Sequence, residues 1–164
     1  EPLVGWEVLV ELLKPQGLMR IALYSEVARQ NVVEVREFIA KKGYENSPKD
    51  IRECRAEIMN MPTDSNSRIQ TIVNSKDFYS LSACRDLLFH VQEHRFTLPQ
   101  IANALEKMGL IFIGFDCGSQ IENQFKAQYP SNEDLFSLQL WHQFEQDHPD
   151  TFVRMYQFWV QKNN

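Results

Sequence analysis

Glycine is scarce in this chain: six residues in 164, with no G-x-G-x-x-G or G-x-G-x-G spacing among them. That spacing lets a backbone turn tightly against a phosphate or sugar at the start of a helix, so its absence excludes the usual loop for a nucleotide-like cofactor. Cysteine is sparse as well. Cys54, Cys84 and Cys117 stand far apart with no C-x-x-C pair, and an odd count fits no disulfide framework. They read as reduced thiols of a cytoplasmic protein. Positive charge is short, with 17 Lys and Arg against 22 Asp and Glu. The net charge of −5 argues against non-specific binding to nucleic acid or to an anionic membrane surface. No apolar run approaches the roughly 20 residues of a membrane-spanning helix. The chain opens at Glu1 without a methionine, in what reads as mid-element sequence, and more sequence is expected upstream.

What the chain does have is material for a core. Hydrophobic residues at 43% and aromatics at 12% exclude a disordered segment. Residues 2–14 place Leu3, Trp6, Leu9, Leu12 and Leu13 on one helical stripe, with Pro2 suited to the first turn. Pro15-Gln16-Gly17 breaks that helix. Residues 18–24 (LMRIALY) form a short, nearly continuous apolar run, the pattern of a strand buried on both faces of a sheet. Ser25 is placed to cap a helix running to about Lys41, with Gly43 near its end. Ser47-Pro48 opens another, with Ile51, Cys54, Ile58 and Met61 in step and Pro62-Thr63-Asp64 as its stop. A short helix is expected over 66–74, and Ser80 or Ser82 caps one reaching His94.

Thr97-Leu98-Pro99-Gln100 is a capping box that predicts a helix to Met108. Residues 110–116 (LIFIGFD) read as a second buried strand, helices follow near 119–129 and 133–147, and 156–161 is a third strand. Three strands are few for so many helices. A sheet that small leaves long unpaired edges, so further strands are expected outside this chain.

Specific residues carry a resemblance. Leu12-Leu13-Lys14-Pro15-Gln16-Gly17-Leu18-Met19-Arg20-Ile21 looks like the L-L-K-P-G-G turn before the fifth strand of class I S-adenosylmethionine-dependent methyltransferases, with Gln16 in place of a glycine. Residues 110–116 and 156–162 are similar to that fold's sixth and seventh strands, its closing antiparallel pair. Asp86-Leu87-Leu88-Phe89-His90 and Met155 to Val160 resemble the C-terminal region of bacterial methyltransferases often joined to tetratricopeptide repeats. The resemblance implies an α/β fold, the C-terminal portion of a doubly wound sheet with strands near 18–24, 110–116 and 156–161. It implies a single partial domain over 1–164: helix and strand over 1–24, a helical insert over 25–108, and closing elements over 109–164. S-adenosylmethionine would belong to the full-length protein, held by an upstream methyltransferase half. Nothing here matches the family's glycine-rich loop or ribose-binding acid, so this chain alone is expected neither to bind the cofactor nor to be active.

Candidate acceptor-pocket residues follow from position. Ligands of doubly wound sheets gather beyond the carboxyl ends of strands, which marks Tyr24 as a pocket wall and Glu26 as a group that orients a nucleophile. The competing reading makes Ser25 a cap and Glu26 a complement to its helix dipole. Asp86, His90, Glu93 and His94 crowd polar groups beside an apolar run, and histidine can take a proton near neutral pH. His90-Val91-Gln92-Glu93-His94 also matches H-x-x-E-H, the inverted zinc-peptidase motif, which requires two histidines one helical turn apart. Three fixed positions match by chance often, and no metal site is assigned. Arg20, in an apolar strand, needs a carboxylate partner. Phe152, Tyr156, Phe158 and Trp159 read as core. The unpaired edge of the 18–24 strand is a possible homodimer contact. A non-catalytic protein-binding or dimerisation module is the competing account of the whole chain.

Overall fold

The structure, a computed structural model, describes residues 2–61, 68–90 and 92–163. It is a mixed α/β chain that divides into two compact units, one of residues 1–28 with 94–164 and the other of Arg29–Glu93. No helix among the described residues is long and apolar enough to cross a membrane.

The first unit carries a sheet of order β2-β1-β4-β3, with β1 over Leu18–Ser25, β2 over Arg95–Phe96, β3 over Leu110–Phe115 and β4 over Tyr156–Lys162. The three expected strands are present, and β2 is a fourth, pairing in parallel with β1 through Tyr24↔Arg95 and Ser25↔Phe96. β4 runs antiparallel to both β1 and β3, and β3 carries a bulge between Phe112 and Gly114. Helices α1 (Pro2–Leu12), α6 (Leu98–Lys107), α7 (Ser119–Gln128) and α8 (Leu138–Asp147) belong to this unit, with a 3-10 turn over Asn132–Phe136. The core joins Trp6 of α1, Ile101 and Leu105 of α6, Phe125 of α7, Trp141 and Phe144 of α8, and Tyr156, Phe158 and Val160 of β4.

Several expectations are corrected here. β1 is not buried on both faces: Met19, Ile21 and Leu23 turn inward, while Leu18, Arg20 and Ala22 are exposed. Trp159, Ile111 and Ile113 are exposed too, so Trp159 is not core. The described sheet packs on one face, in place of the two faces of a doubly wound sheet. On α1 the buried pair is Trp6 and Val10, whereas Leu3, Leu9 and Leu12 are exposed. Four-residue spacing from Trp6 selects Val10, and the ring of Phe158 meets the edge of Trp6 at 6.4 Å. Arg20 does find its carboxylate, donating to Asp116 Oδ2 at 2.6 Å and to Gln157 Oε1 at 2.5 Å.

The turn between α1 and β1 shows why sequence matters locally. Gly17 N–H donates to Lys14 C=O at 2.8 Å, Pro15 takes the second position, and Gln16 sits at φ 61°. This is a type II turn, whose third position favours glycine. Gln16→Gly should stabilise the fold by about 0.5–1 kcal/mol, since relief of left-handed strain exceeds the extra freedom of an unfolded glycine. A Cβ on Gly17 would lie 2.8 Å from the Lys14 carbonyl oxygen, so Gly17→Ala should cost about 1–3 kcal/mol. Urea denaturation of the two variants checks both signs; a loss at 16 or a gain at 17 would refute the turn geometry.

The second unit is helical: α2 (Gln30–Lys42), α3 (Pro48–Met59), α4 (Arg68–Val73), a 3-10 turn at Lys76–Phe78 and α5 (Leu81–Phe89). It has its own core of Val32, Val35, Ile39, Ile51, Cys54, Ile58, Ile72, Phe78, Cys84 and Leu88. Ser47 caps α3 through Asp50 N–H, and Gly43 ends α2 in the left-handed region. The expected stop at Pro62-Thr63-Asp64 lies outside the described residues. The insert expected over 25–108 is narrower, because β2 and α6 fall in the sheet unit. α2 starts at Gln30 and not at Ser25, whose hydroxyl accepts from Ala28 N–H in the turn before α2 and donates to Glu145. α5 stops at Phe89, five residues short of His94. The helix expected over 133–147 is a 3-10 turn and α8, separated at Ser137, which caps α8 through Leu140 N–H.

Candidate functional site

At the carboxyl end of β1 the chain builds a buried polar knot. Ser25 and Glu145 are both fully enclosed. Ser25 Oγ donates to Glu145 Oε1 at 2.5 Å and accepts from Ala28 N–H at 3.0 Å. Tyr156 Oη donates to both Glu145 oxygens, at 2.7 and 2.8 Å. Burial pushes the Glu145 carboxyl above the usual carboxylate range, and the two hydroxyl donors offset that only in part. Burial, with Glu145 beside it, also pushes the Tyr156 phenol upward, which keeps it a donor. The knot ties β1, α8 and β4 together beneath the point where β1 ends.

Just beyond it stand the first two candidates. Tyr24 lies opposite Arg95 in the β1–β2 ladder. Glu26 N–H donates to Phe96 C=O at 2.9 Å, and its carboxylate accepts from Arg95 Nε at 3.0 Å. Glu26 therefore does not complement the dipole of α2, which begins at Gln30; the Arg95 guanidinium holds its carboxylate, which stays 39% exposed. His94 is exposed in the same unit.

The other candidates belong to the helical unit. Asp86 and His90 line one recess of about 510 Å³, together with Asn46, Arg85, Phe89 and Gln92. A second recess, of about 460 Å³, shares Asn46, Phe89 and His90 and adds Arg36 and Tyr44. Both volumes suit small ligands or side chains. His90 Nδ1 accepts the backbone N–H of Gln92 at 3.3 Å, which leaves the proton of the neutral ring on Nε2. Glu93 is withdrawn: its carboxylate sits between Arg29 (2.5 Å) and Arg36 (3.1 Å). Of the six candidates, Asp86 and His90 share this recess.

The zinc-motif reading fails on geometry. His90 has extended backbone and Gln92 to His94 are not helical, so the required one-turn spacing is absent; Val91 lies outside the described residues. Glu93 is engaged by two arginines. Among the described residues no cluster of three or more His, Cys, Asp or Glu suits a metal ion. The thiols are poor nucleophiles: burial pushes Cys54 up to about 12 and Cys117 to about 11.

The parallel pair β1–β2 leads into a turn, Glu26–Arg29, that holds no glycine, and its acid is paired to Arg95.

Sequence reasoning missed the Ser25–Glu145–Tyr156 knot. Its one signal is Glu145 standing four residues after Trp141 and next to Phe144, on the buried face of α8.

No protein-family model and no curated protein matches this sequence. Among solved structures, PKMT2 from Rickettsia typhi aligns with a TM-score of 0.63 at 14% identity, over 99% of this chain. At that identity the likeness is one of fold alone. The chain spans 32% of the length of that protein.

Proposed function

We propose that this chain is the acceptor-side portion of an S-adenosylmethionine-dependent methyltransferase of bacterial type, inactive by itself. The supporting observation is the methyltransferase-like arrangement over nearly the whole chain, matched to about a third of a longer protein. The bare sheet face and the β1 edge, paired by β2 only at Tyr24 and Ser25, fit a sheet that continues in an upstream half. That half would hold the cofactor, and tetratricopeptide repeats are a further partner. This chain's own residues would do the positioning. The Ser25–Glu145–Tyr156 knot holds the end of β1 rigid. Asp86 and the Nε2–H of His90 offer one acceptor and one donor to the group that receives the methyl, so that alignment carries the rate.

Calorimetry tests this. The chain alone should give no binding heat with S-adenosylmethionine, and the protein extended upstream should bind one equivalent. In the extended protein Asp86→Ala should lower kcat/KM for methyl transfer about ten-fold with cofactor affinity kept. No binding by the extended protein ends the enzyme reading.

A second reading, a non-catalytic binding or dimerisation module, is favoured by the apolar surface itself. Val4, Val8 and Leu12 form an exposed stripe on α1, and Leu18 and Trp159 lie on the bare sheet face. A concentration-dependent dimer in sedimentation, formed through the β1 edge, would favour it.

A further inference from the structure

The helical unit begins at Arg29 and ends at Glu93, and these two residues grip each other. Arg29 donates to the Glu93 carboxylate twice, from Nη2 at 2.5 Å and from Nε at 3.2 Å. Arg36, two turns into α2, donates to the same carboxylate at 3.1 Å and to the carbonyl of Leu87 at 2.7 Å. The Leu87 carbonyl is one of the last in α5, where intrahelical partners run out. All three side chains are nearly enclosed, with 5% of Glu93, 10% of Arg29 and 17% of Arg36 exposed. Charge-assisted, two-pronged contacts away from water are among the stronger polar contacts a fold makes.

The sheet unit is closed at its own side of the same two crossings. β1 and β2 are laddered at Tyr24↔Arg95 and Ser25↔Phe96, and Arg95 pairs with Glu26 at 3.0 Å. The hydrophobic cores of the two units have no buried residue in common. Two separate cores, each with its chain ends fastened, are the conditions for separate cooperative opening.

We propose that residues 29–93 are a self-closing insert that opens and closes as a unit while the sheet stays folded, with Glu93 between Arg29 and Arg36 as its clasp. Arg36 is at once a member of the clasp and a wall of the 460 Å³ recess. A ligand that settles in that recess therefore bears on the opening of the insert without needing the sheet to move. The inference stands apart from the methyl-transfer reading.

Hydrogen exchange of the full chain at rising sub-denaturing urea tests it. Amides of α2, α3 and α5 should share one opening free energy, different from that of β1, β4 and α8. Glu93→Gln should raise exchange in α2 and α5 about ten-fold, the size of one charge-assisted bond, and leave β4 and α8 unchanged. A single opening free energy for the whole wild-type chain overturns the proposal. So does a Glu93→Gln variant that loosens both units equally, changes neither, or fails to fold at all. The wild-type profile decides independence even without the variant.

Discussion

Trp141→Ala should remove about 3–5 kcal/mol from the stability of the sheet unit, the range for truncating a large buried aromatic. Trp141 is 1% exposed, and its indole stacks on Phe125 with centroids 3.8 Å apart and planes 16° from parallel. Phe115 meets it edge-on at 5.2 Å and Phe144 at 5.8 Å. Its Nε1–H donates to the carbonyl of Leu135 at 3.0 Å, so truncation also strips a partner from the turn before α8. Domain stabilities run to about 5–15 kcal/mol, and a loss of this size removes a large part of one. Urea denaturation followed by circular dichroism measures it. Trp141→Phe, which keeps the stack and loses the N–H, should fall between alanine and wild type. A loss below about 1 kcal/mol for alanine would mean the cluster collapses onto the gap at little cost, and the aromatic core described above would be wrong.

Glu145→Gln should change how stability depends on pH. Burial raises the native carboxyl above its unfolded value of about 4.3. The folded chain then keeps a proton that the unfolded chain has released. The stabilisation from the protonated group is complete below the unfolded value and declines as pH rises through the native one, by up to about 1.4 kcal/mol per pH unit. Glutamine keeps a carbonyl for the Ser25 and Tyr156 hydroxyls and has no proton to lose. The variant should therefore gain on wild type as pH climbs from about 4, with the gap levelling above the native value. Parallel stability profiles for the two proteins between pH 4 and 8 would show that Glu145 titrates normally and that the knot is not closed to water.

The elements that local chemistry specifies were legible in the sequence. Thr97 and Gln100 cap α6 reciprocally, Ser47 and Pro48 start α3, and Gly43 ends α2, because each needs only neighbours within four residues. The apolar runs at 18–24, 110–116 and 156–161 became strands because no helical period competes in them. β2 escaped because two residues carry no period. The candidate site was legible only in part: Asp86 and His90 share a recess, but whether Glu93 or Glu26 faces a ligand depended on arginines 57 to 69 positions away.

Alone, the order of residues determined the capped starts of α3 and α6, the three longer strands and that the chain is α/β, since those outcomes rest on short-range hydrogen bonds and on the spacing of apolar side chains. Only the folded molecule decided which face of each element is covered and which charges find partners. Ser25 reads as a helix cap in isolation. In the fold its proton goes to Glu145, 120 positions along the chain. Such contacts form when packing brings distant segments together and leaves a buried polar group no water to turn to.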